Sequence, residues 1–175
     1  TGNYPGAARN IDELRADIVK AKSYIPGTHR LNLHEIYGDF KGKVVDRDEV
    51  TPEYFESWIE WAKENNMKLD FNSTSFSHPK SGNLSLANPD EGIRNFWIEH
   101  TKRCREISEA MGKAQGDPCI MNLWVHDGSK DQTVNKYLYR SLLKDSLDKI
   151  FATKYDNMKD CIESKVFGIG LESFT

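Results

Sequence analysis

The stretch PCIMNLWV, residues 118–125, decides the fold, because an apolar run of strand length stands here between two long helical patterns. Before it, apolar residues recur at helical spacing from Ile93 to Met111, and Gly112 is predicted to end that helix. After it, leucines between residues 138 and 147 predict another helix. The order helix, strand, helix indicates βα units, whose neighbouring strands run parallel.

The same unit recurs along the chain. Three further runs have strand character, RLNLHEIY, MKLDFN and CIESKVF, and helical patterns separate them. The helix before the first run is predicted to begin at an N-cap, Asn10. The helix before the second is predicted to begin at Thr51 with Pro52 in its first turn, and the helix after it at Asn88. The sequence therefore predicts the α/β class with four parallel strands.

Polar side chains recur two residues apart on each predicted strand, although a parallel sheet covered on both faces would be apolar. Residues two apart on a strand point to the same face. A sheet with one solvated face, or polar pairs that only cap strand ends, would also give this pattern. If the strands instead line a (β/α)8 barrel near its active-site end, all pairs converge on one pocket, and four strands form half of the barrel. The pairs are Asn32 and His34, Asp70 and Asn72, Asn122 and Trp124, and Glu163 and Lys165.

These side chains suit a polar small molecule. Glu163 could act as a general base or ligate a hard cation, and Lys165 could polarise a carbonyl group. The flat ring of Trp124 suits the C–H surface of a sugar. One carboxylate does not hold Mg²⁺ or Mn²⁺ against water, since such sites need several oxygen or imidazole ligands. A carbohydrate site that needs further ligands is the interpretation these residues favour.

Composition narrows the classes of partner. The chain has 175 residues, 38% hydrophobic and 29% charged, with a net charge of -3, so it lacks the basic excess of a nucleic-acid binder. It has no apolar run long enough to cross a membrane and no signal peptide at its first residues, and we expect a cytoplasmic location. Cys104, Cys119 and Cys161 lie in apolar patterns and are predicted to be buried, reduced thiols.

Several long motifs occur together in a fixed order. Among them are IPGTHRLNLHEIY (25–37), LDFNSTSFSHPKS (69–81), MNLWVHDGSKD (121–131) and ESKVFGIGLESFT (163–175). With TGNYPGAARNIDELRAD at the start, they resemble bacterial L-rhamnose isomerase over essentially the whole chain. The resemblance implies a TIM barrel of the xylose-isomerase type, cytoplasmic and tetrameric, that converts L-rhamnose to L-rhamnulose with a divalent metal, Mn²⁺ or else Zn²⁺ or Co²⁺. It matches only the middle of that enzyme, so residues 1–175 are expected to form a partial barrel domain, truncated at both ends.

The resemblance also implies roles for individual residues. Glu163 resembles the first carboxylate ligand of the family's structural metal, and Lys165 resembles the lysine that contacts substrate oxygens. His34 resembles the histidine near the sugar oxygens where ring opening is assisted, and Trp124 resembles the tryptophan packed against the substrate. The resemblance therefore implies catalytic roles for Lys165 and His34, while the family's other metal ligands lie on later strands.

The remaining histidines receive weaker interpretations. His78 could help to close the site or could be a surface residue. His126 and Asp127 follow a predicted strand, but HDG is also ordinary turn chemistry, and the family has proline more often than histidine at this place. We therefore expect no required role for His126. His29 and His100 are predicted to be a loop residue and a helix residue without chemistry.

Two classes of function stay open at this point. The first is an enzyme portion that becomes active when it is joined to the missing strands, as a homo-oligomer acting on a small sugar. The second is a non-catalytic α/β fragment or binding module. Another sugar isomerase or epimerase on the same barrel is a variant of the first class, since epimers differ by one hydroxyl orientation.

Overall fold

Strands and helices alternate throughout residues 4–128 and 135–164, which are the residues that the computed structural model describes. The helices are α1 (Ile11–Tyr24), α2 (Glu56–Glu64), α3 (Glu91–Gln115) and α4 (Lys136–Phe151). The strands are β1 (His29–His34), β2 (Met67–Ser73), β3 (Cys119–Val125) and β4 (Met158–Ser164). Short 3-10 turns follow β1 and precede α2. In these described parts, no helix has both the length and the apolar character needed to cross a membrane.

The four strands form one parallel sheet in the order β1-β2-β3-β4. In its register Leu31 lies beside Leu69, Phe71 beside Met121, and Leu123 beside Ile162. Neighbouring strands are also consecutive in the chain, as repeated βα units require. The predicted parallel α/β class is confirmed, and the arrangement is consistent with part of an α/β barrel.

The two faces of the sheet differ in the way that their alternating sequence predicts. One face packs against α2 and α3 and is apolar, with Leu33, Leu69, Phe71, Met121 and Leu123 all at most 2% exposed. The other face, called the inner face below, carries the partly or fully exposed polar side chains of the alternate positions. Burial of one face in a helical layer accounts for the fixed register of these strands.

Helix starts agree with the sequence only in part. Asn10 caps α1 as predicted, because its side-chain oxygen accepts a hydrogen bond from the Glu13 amide at 2.9 Å. Thr51 makes no such bond, and a 3-10 turn stands between it and α2. The N-cap of α3 is Asp90 rather than Asn88, since the Asp90 carboxylate accepts from the Ile93 amide at 3.1 Å.

The prediction that Gly112 ends α3 is wrong. The helix continues to Gln115 and ends at Gly116, whose φ of 62° lies in the left-handed region that favours glycine. Gly112 instead lies where the backbone just before β4 crosses the helix, and an added Cβ would stand 1.7 Å from the Asn157 carbonyl oxygen. A close approach of two backbones therefore explains this glycine.

Two expectations for single residues need correction. Cys104 and Cys119 are buried and reduced as predicted, but Cys161 is exposed, because it lies on the inner face of β4, two residues before Glu163. His29 is the first residue of β1 and not a loop residue. His100 lies on α3 as predicted, and its side chain is buried.

Candidate functional site

A hydrogen-bonded row of polar side chains crosses the inner face at three strands. The Asn122 side-chain amide donates to Asn72 Oδ1 at 2.7 Å and to Glu163 Oε2 at 2.6 Å. These three residues belong to β3, β2 and β4, and His34 lies beside Asn72 in the register of the sheet. Side chains of three strands therefore meet, with His34 of β1 beside them, near the carboxyl ends of the strands, where parallel α/β folds place their sites.

Asp70, in contrast, belongs to an ion-pair group nearer the amino ends of the strands. Arg30 donates from Nε and Nη2 to both Asp70 carboxylate oxygens at 2.7 Å and from Nη1 to Asp117 at 2.6 Å. Asp70 also accepts from the Ile120 amide at 2.8 Å. These carboxylates raise the pKa of Arg30. Asp70 thus shares a face with Asn72 but links residues nearer the amino ends of the strands. Asn32 is its neighbour in the register of β1 and β2 and lies at the same level of the sheet.

His34 stands half-buried at the end of β1. Its ring meets Tyr37 edge-on, with centroids 5.8 Å apart, and lies 6.4 Å from the ring of Phe76. Among the described residues, its Nδ1 is buried and has no hydrogen-bond partner. Burial lowers the pKa of His34, and the nearby Glu35 only partly opposes this. A neutral imidazole can exchange a proton with a hydroxyl group.

Four neighbouring rings form an aromatic row, namely His34, Phe76, Trp124 and His126. Trp124 meets Phe76 edge-on at 5.7 Å and stacks with His126 at 5.8 Å with an interplanar angle of 23°. Sequence reasoning selected His34 and Trp124 but missed Phe76, which is 45% exposed. Its signal was a lone aromatic residue within the polar loop after β2.

The long loop between β2 and α3 is fixed at several points. Asp127 is fully buried, and its carboxylate accepts from the Ser85 hydroxyl at 2.6 Å and from the Ala87 amide at 2.9 Å. His78 stacks on Phe96 of α3 at 4.9 Å and bonds to Asp46 at 3.0 Å. His78 therefore anchors the outer side of this loop and lies apart from the aromatic row.

Lys165, the fourth residue selected from the sequence, lies outside the described residues. Glu163 is exposed on the inner face, and its Oε2 is held by Asn122. In the described part of the chain, this carboxylate offers one oxygen ligand beside a hydrogen-bonded amide. It fits one position of a divalent-cation site, and the remaining ligands would have to come from elsewhere.

A second group of possible metal ligands lies between the 3-10 turn after β1 and α3. One ligand atom from each of Glu35, His100 and Cys104 can be chosen so that all lie within 4.8 Å of one another, and all three residues are buried. Arg47 forms an ion pair with Glu35 at 3.1 Å, and its carbonyl oxygen lies 3.2 Å from His100 Nδ1. The group could hold a metal ion, but a guanidinium already balances its carboxylate.

His100 makes stability depend on pH. Burial lowers the pKa of His100 to about 4 from 6.5, and the positive charge of Arg47 acts in the same direction. Glu35 and Cys104 also lie beside the ring. Below pH 6.5 His100 binds a proton in the unfolded chain but stays neutral in the folded chain. The free energy of unfolding therefore falls as the pH drops towards 4. We expect a loss of roughly 2 kcal/mol between pH 7 and pH 5. Burial raises the pKa of Glu35 and acts in the opposite direction.

The contribution of His100 is isolated by comparing the chain with its His100→Gln variant in urea unfolding at pH 7 and pH 5, at one protein concentration. The variant should lose less stability on acidification than the unchanged chain. Equal losses in both proteins would contradict the assignment of this pH dependence to His100.

The sequence of this chain matches those of known proteins over its whole length. A family model described as L-rhamnose isomerase (RhaA) matches residues 1–175. The chain belongs to the L-rhamnose isomerase family. It is 85% identical over 175 residues to the L-rhamnose isomerase of Bacteroides thetaiotaomicron, a match that covers 100% of this chain and 42% of that protein.

Other members of the L-rhamnose isomerase family match over the same extent. The enzyme named L-rhamnose isomerase from Rhodopirellula baltica is 54% identical over 177 residues, covering 99% of this chain and 41% of that protein. The one from Mannheimia succiniciproducens is also 54% identical over 177 residues, covering 100% of this chain and 42% of that protein. The chain thus spans 41–42% of the length of these curated relatives.

Family membership gives the four-stranded sheet and the possible metal ligands a context. L-rhamnose isomerases form a TIM-barrel family of sugar isomerases, and four parallel strands are consistent with part of such a barrel. The family and the buried donor group together suggest a divalent metal.

Proposed function

We propose that this chain is the part of an L-rhamnose isomerase that forms one side of its substrate pocket, and that the whole protein interconverts L-rhamnose and L-rhamnulose. One observation carries this proposal above the others: in a chain that matches the family throughout, Asn72, Asn122 and Glu163 are hydrogen-bonded in a row near the carboxyl ends of the strands. Trp124 lies beside Glu163 in the register of β3 and β4. A polar row next to an aromatic ring suits a sugar, which has hydroxyls and a C–H surface.

The metal in this proposal is Mn²⁺, with Zn²⁺ or Co²⁺ as substitutes, and Glu163 is one of its ligands. Asn122 donates to Glu163 Oε2 and so fixes the direction of the carboxylate. The chemistry that such a cation supplies is polarisation of the sugar carbonyl and stabilisation of negative charge on oxygen. Carboxylate oxygen is a suitable donor for Mn²⁺.

The other proposed roles belong to His34, Lys165 and Trp124. A low pKa keeps His34 neutral near pH 7, so that it can pass a proton at a sugar hydroxyl during ring opening. Lys165 would donate hydrogen bonds to substrate oxygens, as the family resemblance implies. Trp124 and Phe76 would cover the apolar side of the sugar and exclude water from it.

The proposal extends to the surroundings of the enzyme. We place residues 1–175 within one barrel domain of a cytoplasmic homotetramer whose partner is a small sugar rather than nucleic acid or a membrane. A non-catalytic fragment or binding module remains the alternative from another class, and a different sugar isomerase or epimerase on the same barrel remains the alternative within the enzyme class.

A chimera tests the proposal. Residues 1–175 replace the matching segment of the Bacteroides thetaiotaomicron enzyme, to which they are 85% identical. We expect ketose formation from L-rhamnose with added Mn²⁺ at a rate comparable to that of the unchanged relative. A folded chimera without turnover would favour the non-catalytic alternative, and faster turnover of another aldose would favour the other isomerase.

A further inference from the structure

His126 joins two points of the loop that carries Phe76. Its Nδ1 pairs with the Ser75 hydroxyl, directly before Phe76, and its Nε2 bonds to the Gly82 carbonyl oxygen at 3.0 Å. The His126 ring is only 6% exposed, and Ser75 is 5% exposed. His126 is therefore buried against the loop between β2 and α3 and bonded to it, so its place is more than the ordinary turn chemistry of an HDG motif.

These contacts fix the hydrogen positions of the ring. A carbonyl oxygen only accepts, so Nε2 of His126 must carry the hydrogen that it donates to Gly82. In the neutral imidazole, Nδ1 is then the acceptor, and the Ser75 hydroxyl donates to it. A phenylalanine at this position would keep a ring but lose both bonds, whereas an asparagine could still accept from Ser75.

The same ring supports Trp124. It stacks on the indole at 5.8 Å, and Phe76 meets the same indole edge-on at 5.7 Å. His126 thus contacts Trp124 directly and is linked to Phe76 through the neighbouring Ser75. Asp127 holds the loop farther along, at Ser85 and Ala87, and Arg47 donates to the Phe76 carbonyl oxygen at 2.7 Å. Arg47 thus holds the backbone at Phe76, while His126 holds the Ser75 side chain beside it.

We propose that His126 is a positioning residue that holds Phe76 and Trp124 against the apolar side of the sugar, and so sets substrate affinity more than turnover. This rests on the proposed function, in which the aromatic row contacts substrate. A contact made equally in the ground state and the transition state changes KM and leaves kcat nearly unchanged. His126 itself would not touch the reacting atoms.

The test uses the chimera described above with single substitutions. His126→Phe and Ser75→Ala each break the bond between His126 and Ser75, and we expect each to raise KM for L-rhamnose about tenfold with kcat changed less than about twofold. His126→Asn should restore part of the affinity that His126→Phe loses, since it retains an acceptor for Ser75. His78→Gln is the matched control. His78 belongs to the loop that carries Ser75, and the ring contacts of His78 are with Phe96 and Trp97.

A second measurement does not depend on activity. In chimeras labelled with 5-fluorotryptophan, fluorine NMR should show a shifted or broadened Trp124 signal in His126→Phe and Ser75→Ala, with Trp124→Phe assigning that signal. His78→Gln should move the Trp97 signal and leave that of Trp124 in place.

The outcomes separate this inference from the proposed function. An inactive unsubstituted chimera would overturn the proposed function, while the fluorine spectra would still decide whether His126 positions Trp124. An active chimera in which both substitutions leave KM unchanged, or lower kcat more than they raise KM, would overturn the inference. If His126→Phe fails to fold, Ser75→Ala and His126→Asn decide it.

Discussion

Glu163→Gln in the chimera is expected to lower kcat for L-rhamnose by at least about 100-fold, because a bound cation contributes several kcal/mol of charge stabilisation and each 1.4 kcal/mol is a factor of ten. The amide keeps the shape of the side chain but replaces the negatively charged carboxylate, which would ligate the metal, with a neutral group. Glu163 is exposed on the inner face, so folding should tolerate the change. Binding of Mn²⁺, measured by calorimetry, should weaken as well.

The matched control is Asp148→Asn, another change of carboxylate to amide. Asp148 pairs with Lys144 on the surface of α4, and the two side chains are 62% and 73% exposed, respectively. The substitution should therefore leave both kcat and Mn²⁺ affinity unchanged. Full activity and unchanged Mn²⁺ binding in Glu163→Gln would remove Glu163 from the site. An equal loss in both variants would point to an effect of surface charge.

Arg105→Met is expected to destabilise the chain by about 3 kcal/mol, as removal of one partner from a buried ion pair does. The Arg105 guanidinium is 2% exposed and binds both Asp160 oxygens, at 2.8 and 2.9 Å. It also donates to the Ile150 and Thr153 carbonyl oxygens at the end of α4. Its loss would leave these acceptors without their donor and detach β4, which carries Glu163, from α3.

Arg103→Met supplies the control for this change on the same helix. Arg103 is 34% exposed and pairs with Glu99 and Glu106 along the surface of α3, a kind of pair that contributes less than about 1 kcal/mol. Urea unfolding of both variants at one protein concentration makes the comparison. Similar stabilities of the two variants would show that the Arg105 network does not hold β4 in place.

Local patterns in the sequence were sufficient for the elements and for part of the site. Alternating and helical periodicities predicted the four parallel strands and the helices between them, and the Asn10 cap was confirmed. Residues two apart on neighbouring strands were expected to meet, and Asn72, Asn122 and Glu163 do. These predictions succeeded because a strand orients its side chains with a period of two, whatever else the chain does.

The sequence by itself therefore determined the parallel α/β class, the face on which the polar pairs lie and, through ordered motifs, the family. Only the tertiary structure decided why Gly112 is a glycine, where Arg105 finds its partners, and how His126 links the loop at Ser75 to the ring of Trp124. Each of these depends on groups that are distant in the chain and meet only when the helices pack on the sheet. Such contacts leave no periodic signal, since their geometry is set by packing and not by local backbone conformation.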